Sequence, residues 1–174
     1  TSRELSNDIH IPVVTVGGRA VKEHLPWLYS LYLKEFRDIA QSLTTENVQT
    51  AQDDRYAINL NVQCGNQMRY ECHVDSNPIE GLLYLTDHPA GCGGELVVSQ
   101  SEDARGTVAI SESATRIYPV AGKLVFFDAR LHPHFVAPLR LPEDRRIVAA
   151  MNYYLPSCPE SARPSDLNRH LGLE

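Results

Sequence analysis

The chain has 174 residues, 43% hydrophobic and 22% charged, with a net charge of −6; this suits one domain, 1–174, with material for a sizeable core. The acidic balance disfavours nucleic acid as the main partner, because neutralising phosphates needs a basic face, and no apolar run approaches the roughly twenty residues of a membrane span. Cys64, Cys72, Cys92 and Cys158 form no CxxC pair, which excludes zinc-ribbon and thioredoxin-like readings; with no signal peptide recognised, reduced thiols in a cytoplasmic protein without a membrane partner are expected.

Residues 11–18 (IPVVTVGG) read as a short β-branched strand ended by glycines. Residues 25–43 carry the one long helical pattern, with Leu25, Leu28, Tyr32, Phe36, Ile39 and Leu43 recurring at three and four, and Pro26 in a tolerated first-turn position. This predicts a core-facing support helix within an N-terminal region, 1–55. From residue 56 the chain becomes a series of short strands at roughly ten-residue spacing, punctuated by Gly, Pro and Asp. They are 56–64 (YAINLNVQC), 68–74 (MRYECHV), 81–87 (GLLYLTD), 93–99 (GGELVVS), 106–111 (GTVAIS), 115–120 (TRIYPV), 122–128 (GKLVFFD), 134–139 (HFVAPL) and 145–155 (RRIVAAMNYYL). A turn at 65–67 would make the first two a hairpin, with Cys64 and Cys72 on its two arms. The pattern predicts a mainly β sandwich or barrel over 56–155 with the helix packed outside. The Pro- and Ser-rich tail, 156–174, is expected to be loosely ordered.

His73 and Asp75 stand two apart at a strand end, so period two turns both side chains to one face. An imidazole and a carboxylate on one face can hold a divalent metal once a third ligand is supplied. Two His and one carboxylate on a triangular face of an octahedron leave three open positions, the facial triad of non-haem Fe(II) oxygenases. Alone the pair is weak, since a His and an Asp at a strand end are more often a hydrogen-bonded surface couple.

The segment 117–156 (IYPVAGKLVFFDARLHPHFVAPLRLPEDRRIVAAMNYYLP) resembles the C-terminal half of the Fe(II)/2-oxoglutarate dioxygenases of the prolyl-hydroxylase type. In that family a strand ending in bulky apolar residues, here 124–127, leads to a His-x-Val-x-Pro pattern, here 134–138, and an arginine opens the last strand. Residues 68–77 resemble its HxD strand, residues 81–87 the strand after it, and Gly93 and Gly94 its glycine pair. The resemblance covers roughly 56–155 and implies a double-stranded β-helix (jelly roll) with a supporting N-terminal helix. It implies Fe(II), 2-oxoglutarate and O2, with ascorbate as a further candidate cofactor.

On this resemblance the metal ligands are His73, Asp75 and His134. His134 has Val136 and Pro138 at the right offsets, whereas His132 does not and is expected to face the loop or the substrate mouth. 2-Oxoglutarate would chelate the iron through its 1-carboxylate and 2-keto oxygen, leaving one position for O2. Its buried 5-carboxylate would meet the guanidinium of Arg146 and the hydroxyl of Tyr84. Strand parity puts Arg146, Val148, Ala150 and Asn152 on one face and turns Arg145 outward.

Two departures point to a polar substrate pocket: Gln63 and Asn152 stand where the family often carries tyrosine and tryptophan. Gln63, Asn152, Arg69, Glu80 and Arg130 are the candidate substrate-binding residues, and Asp75, a carboxylate where a smaller residue would open a halide site, favours hydroxylation over halogenation. The expected activity is hydroxylation of an unactivated C–H bond of a small molecule, a free or carrier-bound amino acid, with oxidative decarboxylation of 2-oxoglutarate to succinate and CO2. A peptide or protein substrate, as for a protein prolyl hydroxylase, is the alternative. Two further rivals keep the triad: a metal-binding, non-enzymatic jelly-roll sensor, and an iron enzyme that does not use 2-oxoglutarate.

Overall fold

The structure, a computed structural model, describes residues 13–165. In chain order its elements are β1 (Val14–Val16), α1 (Gly18–His24), α2 (Pro26–Leu33), α3 (Glu35–Gln41), β2 (Gln49–Thr50), β3 (Ile58–Cys64), β4 (Tyr70–His73), β5 (Ile79–Tyr84), β6 (Leu96–Ser99), α4 (Gly106–Glu112), β7 (Ala114–Ile117), β8 (Leu124–Phe127), β9 (His134–Val136), β10 (Arg145–Tyr154) and a single 3-10 turn at Glu160–Ala162. The large sheet runs β1-β3-β10-β5-β8, with β2 added to the end of β10, and the small sheet runs β4-β9-β6-β7. The pairings are antiparallel.

Alternation along β10 explains the layering. Ala149, Met151 and Tyr153 turn to one face and pack with Leu28, Tyr32 and Ile58 in a core under the helices. Val148 and Ala150 turn to the other and pack with Leu82, Leu96 and Val136 between the sheets. A third cluster, Cys72, Val97, Ala104, Ile110 and Phe135, sits on the outer face of the small sheet. β10 thus carries one face to the helices and one to the space between the sheets.

Tyrosines fasten the helices to the large sheet. The Tyr32 hydroxyl donates to the Asn152 carbonyl at 2.9 Å and accepts from the Ala51 amide at 2.8 Å, and the Tyr153 hydroxyl donates to the Tyr32 carbonyl at 3.0 Å. Leu28 and Tyr32 are fully buried, so truncating Leu28 to Ala should cost about 2–5 kcal/mol.

Four sequence expectations need correction. The 25–43 helix is two helices, interrupted at Lys34 (φ −121°, ψ −87°). The break resets the helical phase, so Ala40 is buried while Ile39 and Leu43 are exposed. Residues 106–111 form α4, not a strand: the short apolar run presents Ile110 to the third cluster and leaves Val108 in solvent. β3 and β4 belong to different sheets, so Cys64 and Cys72 are not hairpin partners; all four cysteines are free. The tail is ordered as far as it is described. Leu155 and Cys158 bridge, and the Glu160 carboxylate accepts from the amides of Gln52 (2.7 Å) and Asp53 (3.1 Å) and from the Tyr56 hydroxyl. The remaining tail expectation, and the first part of the 11–18 strand, lie outside the described residues.

Candidate active site

β4 and β9 are neighbours, and their register sets His73 directly opposite His134. The imidazole centroids are 4.3 Å apart, as expected for a close cross-strand pair. Asp75 lies two residues beyond β4, where its amide donates to the Ala129 carbonyl at 3.0 Å and ties this turn to the exit of β8. Its Oδ1 is 3.4 Å from His73 Nε2 and its Oδ2 is 3.4 Å from His134 Nε2. One donor atom from each residue falls within 4.8 Å of the others. Donors sharing one octahedral ion at bonds of about 2.1 Å stand about 3 Å apart, so this set can close on a divalent ion with small adjustments. Two imidazoles, one carboxylate and room for further ligands suit Fe(II).

The pair His132 and His134 divides its labour. His134 Nδ1 lies 2.8 Å from the His132 carbonyl oxygen. A carbonyl only accepts, so Nδ1 carries the proton and Nε2 turns its lone pair toward Asp75. His132 itself stays out of the triad, half-buried, with Nδ1 3.1 Å from the Ser99 carbonyl. It contributes a backbone oxygen that sets the tautomer of its neighbour. Burial pushes the His134 imidazole below its usual value, and the nearby His73 adds to this, which favours the neutral ligand form. Burial opposes ionisation of Asp75, but the two imidazoles overcome it and hold the carboxyl well below the usual carboxylate range.

A second feature lies where β10 begins. Arg145 is exposed, whereas Arg146 is 3% exposed and faces inward. Its guanidinium carbon stands 5.3 Å from the centroid of the fully buried Tyr84 ring. Arg146 Nε and Tyr84 Oη are both buried with no hydrogen-bond partner. Gly94 makes room for the arginine: it adopts φ +74°, and a Cβ there would fall 3.2 Å from Arg146 Cδ and 2.9 Å from Leu139 Cδ2. Burial pushes the Arg146 pKa down, though a guanidinium stays charged. Burial pushes Tyr84 up, so the phenol keeps its proton as a donor. A buried cation beside an orphaned hydroxyl is expensive unless an anion completes it. These two groups fit the distal carboxylate of 2-oxoglutarate.

His73, Asp75, His134, Arg146, Glu80 and Asn152 line one cavity between the sheets. Tyr84 lies beside Arg146 and is not itself on the wall, and Gln63, Arg69 and Arg130 are not on it either. Gln63 is 2% exposed and its Nε2 donates to the Met68 and Ala137 carbonyls at 2.8 and 2.9 Å, so its amide braces the loop after β9. Arg69 turns Nη1 to the Tyr70 carbonyl at 3.1 Å. Arg130 forms a two-bonded fork on Asp128, 2.7 and 3.1 Å.

At the cavity end away from Arg146 the wall is polar. Asn152 Nδ2 donates to the Tyr56 carbonyl at 2.7 Å, and Asn77 Nδ2 donates to Glu80 at 2.8 Å. Burial, with the charge of Asp75 adding to it, raises the Glu80 carboxyl well above its usual range, so it is held protonated. Among the wall residues that the sequence did not single out are Asn59, Asn77 and Arg163. Asn59 had a signal: it shares parity with Asn61 and Gln63. Arg163 had none, because it comes from the tail.

The model of the 2OG-Fe(II) oxygenase superfamily matches residues 55–154. No curated protein matches the sequence. Among solved structures, AviO1 from Streptomyces viridochromogenes Tue57 superposes with a TM-score of 0.64 at 17% identity, covering 88% of this chain and 72% of that one. A prolyl 4-hydroxylase from Phytophthora capsici gives 0.57 at 20% identity, with 96% and 58% covered. The non-heme alpha ketoglutarate dependent epimerase SnoN from nogalamycin biosynthesis gives 0.56 at 14%, with 80% and 60% covered. The chain spans less than two thirds of the length of the latter two. These likenesses concern the fold, which is the double-stranded β-helix.

Proposed function

The chain belongs to the 2OG-Fe(II) oxygenase superfamily, and from that premise we propose that it hydroxylates an unactivated C–H bond of a small molecule. As a dioxygenase of this family it uses Fe(II), 2-oxoglutarate and O2. The reaction converts substrate R–H, 2-oxoglutarate and O2 into R–OH, succinate and CO2, one oxygen atom entering each organic product. Bound iron supplies the O2 activation and the coupled oxidative decarboxylation.

The residues divide the remaining work. His73, Asp75 and His134 hold the iron, with His134 kept in its ligand tautomer by the His132 carbonyl. Arg146 and Tyr84 take the distal carboxylate of 2-oxoglutarate; the observation that carries this reading is that both are buried donors lacking an acceptor. Asn59, Glu80 and Asn152 line the substrate end of the same cavity. Phe127, edge-on to His134 at 5.1 Å, and Leu82 contribute apolar wall that keeps water from the reacting centre.

The small-molecule reading is supported by the polar end of the cavity and by the tail segment that borders it. A protein prolyl hydroxylase is the second reading, favoured by the likeness to the Phytophthora capsici enzyme. The test incubates the protein with Fe(II) and 2-oxoglutarate, reads succinate, and screens amino acids against proline-containing peptides by mass spectrometry for a gain of one oxygen. Oxygen gain on peptides alone would replace the first reading by the second. No succinate under any condition would remove both.

A further inference from the structure

The segment after β10 brings a second guanidinium to the cavity that holds the triad. Arg163 and Pro164 line its wall. The Arg163 guanidinium carbon lies over the Tyr56 ring, 3.4 Å from its centroid, a cation–π contact. Its Nη2 is buried and has no hydrogen-bond partner. The same segment carries its own anchor: Glu160 accepts from the Gln52 and Asp53 amides and from the hydroxyl of the tyrosine on which Arg163 rests.

The nearby carboxyl groups are engaged elsewhere, and Glu80 is uncharged. Asp53 pairs with Arg55 at 2.6 Å, Glu160 is engaged with its three donors, and Glu80 accepts from Asn77. Asp53 and Glu160 are close enough to act on the Arg163 charge, but neither closes a hydrogen bond on its Nη2. A buried guanidinium nitrogen left open in a cavity wall is what an absent anion would complete. That anion is not the one facing Arg146. Tyr56 is bonded through its carbonyl to Asn152, six residues along β10 from Arg146, or about 20 Å at the rise of a strand.

We propose that Arg163, on its Tyr56 platform, is a substrate subsite that takes the free carboxylate of an α-amino acid, the substrate class of the small-molecule oxygenase reading on which this rests. Asn59 supplies the complement. Its Oδ1 is buried on the same wall without a donor and suits the amino N–H beside such a carboxylate. A carrier-bound amino acid or an internal peptide residue has spent its carboxylate in a thioester or amide and leaves the buried Nη2 of the half-buried Arg163 unpaired, a penalty that separates the classes.

The test is a binding measurement on the protein loaded with Mn(II) and 2-oxoglutarate. Paramagnetic relaxation of proton resonances is recorded for the twenty common L-amino acids and for their primary amides. At least one free acid should be relaxed strongly while its amide is not, and Arg163→Met should weaken that acid by about 100-fold. Arg163→Lys, which keeps the charge and loses the fork, should recover part of the loss. Equal relaxation of acids and amides, no relaxed acid at all, or indifference to Arg163→Met would each overturn the subsite. Because the readout is binding, it is independent of turnover. Failure to form succinate would sink the oxygenase reading and leave the subsite standing, whereas an acid-blind cavity would do the reverse.

Discussion

The two ends of β10 serve one cavity by different means. At its start, Arg146 and Tyr84 come from adjacent strands of one sheet and lie among apolar residues. At its finish, Asn152 meets Asn59 from β3, Glu80 from β5, Tyr56 from the turn before β3 and Arg163 from the tail. The first end presents one charge and one hydroxyl, which we propose meet the co-substrate. The second is assembled from segments about a hundred residues apart and presents several polar groups. On the proposed reading, the co-substrate is met by rigid sheet geometry, while substrate choice rests on contributions that can change singly.

The sharpest way to break this comparison is at the triad, which both ends serve. His73→Ala, Asp75→Ala and His134→Ala should each abolish Fe(II) binding and turnover, read by metal titration and succinate release. His132→Ala should keep the metal, because its service to His134 comes from a backbone carbonyl. Loss of metal from His132→Ala with retention in His134→Ala would reverse the assignment of the pair.

Next in size is the start of β10. Arg146→Ala leaves the distal carboxylate of 2-oxoglutarate buried and unpaired, which should cost about 3–5 kcal/mol of its binding. Tyr84→Phe removes one hydrogen bond to a charged group, about 1.5–3 kcal/mol. The same Tyr84→Phe should change the thermal stability of the ligand-free protein little, because the hydroxyl's one polar neighbour is the Arg146 guanidinium, with no well-aligned hydrogen bond between them. Calorimetric titration with 2-oxoglutarate and a melting curve separate the two effects. Equal, small losses from Arg145→Ala and Arg146→Ala would mean that neither anchors the co-substrate.

How these ends read in sequence follows from how they are built. His73 and Asp75 stand two apart, so period two made their common face legible, and strand parity separated Arg146 from Arg145; His134 and the roles of all four were legible only through the resemblance to the dioxygenase motifs. Gln63 had the right parity too, but parity says nothing of where a strand leaves the cavity. It sits opposite Arg146 at the strand end, under the loop that its amide braces. The α4 segment misled because a short apolar run has no decisive period; packing of Ile110 against Phe135 and Val97 decides it. Nothing local marks Arg163, whose position depends on Glu160 bonding to residues more than a hundred positions away.

Gln63 offers a test of intermediate size that turns on the same distinction. Gln63→Leu leaves the Met68 and Ala137 carbonyls without their donor, and unsatisfied buried groups cost about 1–3 kcal/mol. The loss should appear as a lower melting temperature, with substrate preference unaltered. A changed substrate preference at unchanged stability would move Gln63 back to the substrate-reading residues.

The smallest expected effect concerns the anchor of the tail. Glu160→Ala removes a carboxylate that accepts two backbone amides and the Tyr56 hydroxyl. The site is half-buried, so water takes over part of the bonding and the global loss should be near the low end for such bonds, about 1 kcal/mol. The local consequence is larger. Without this tether, residues 156–165 keep the Leu155–Cys158 bridge and the stack of Arg163 on Tyr56, but Tyr56 loses the partner that fixes its hydroxyl. Hydrogen exchange should therefore quicken across 156–165 and at the amides of Gln52 and Asp53, while the strand amides of β10 stay protected. 2-Oxoglutarate affinity should hold, because Arg146 and Tyr84 belong to the sheet. If exchange in 156–165 is unchanged, the segment is held by something other than Glu160. If 2-oxoglutarate affinity falls together with tail protection, the two ends of the cavity are coupled and the division of labour along β10 is wrong.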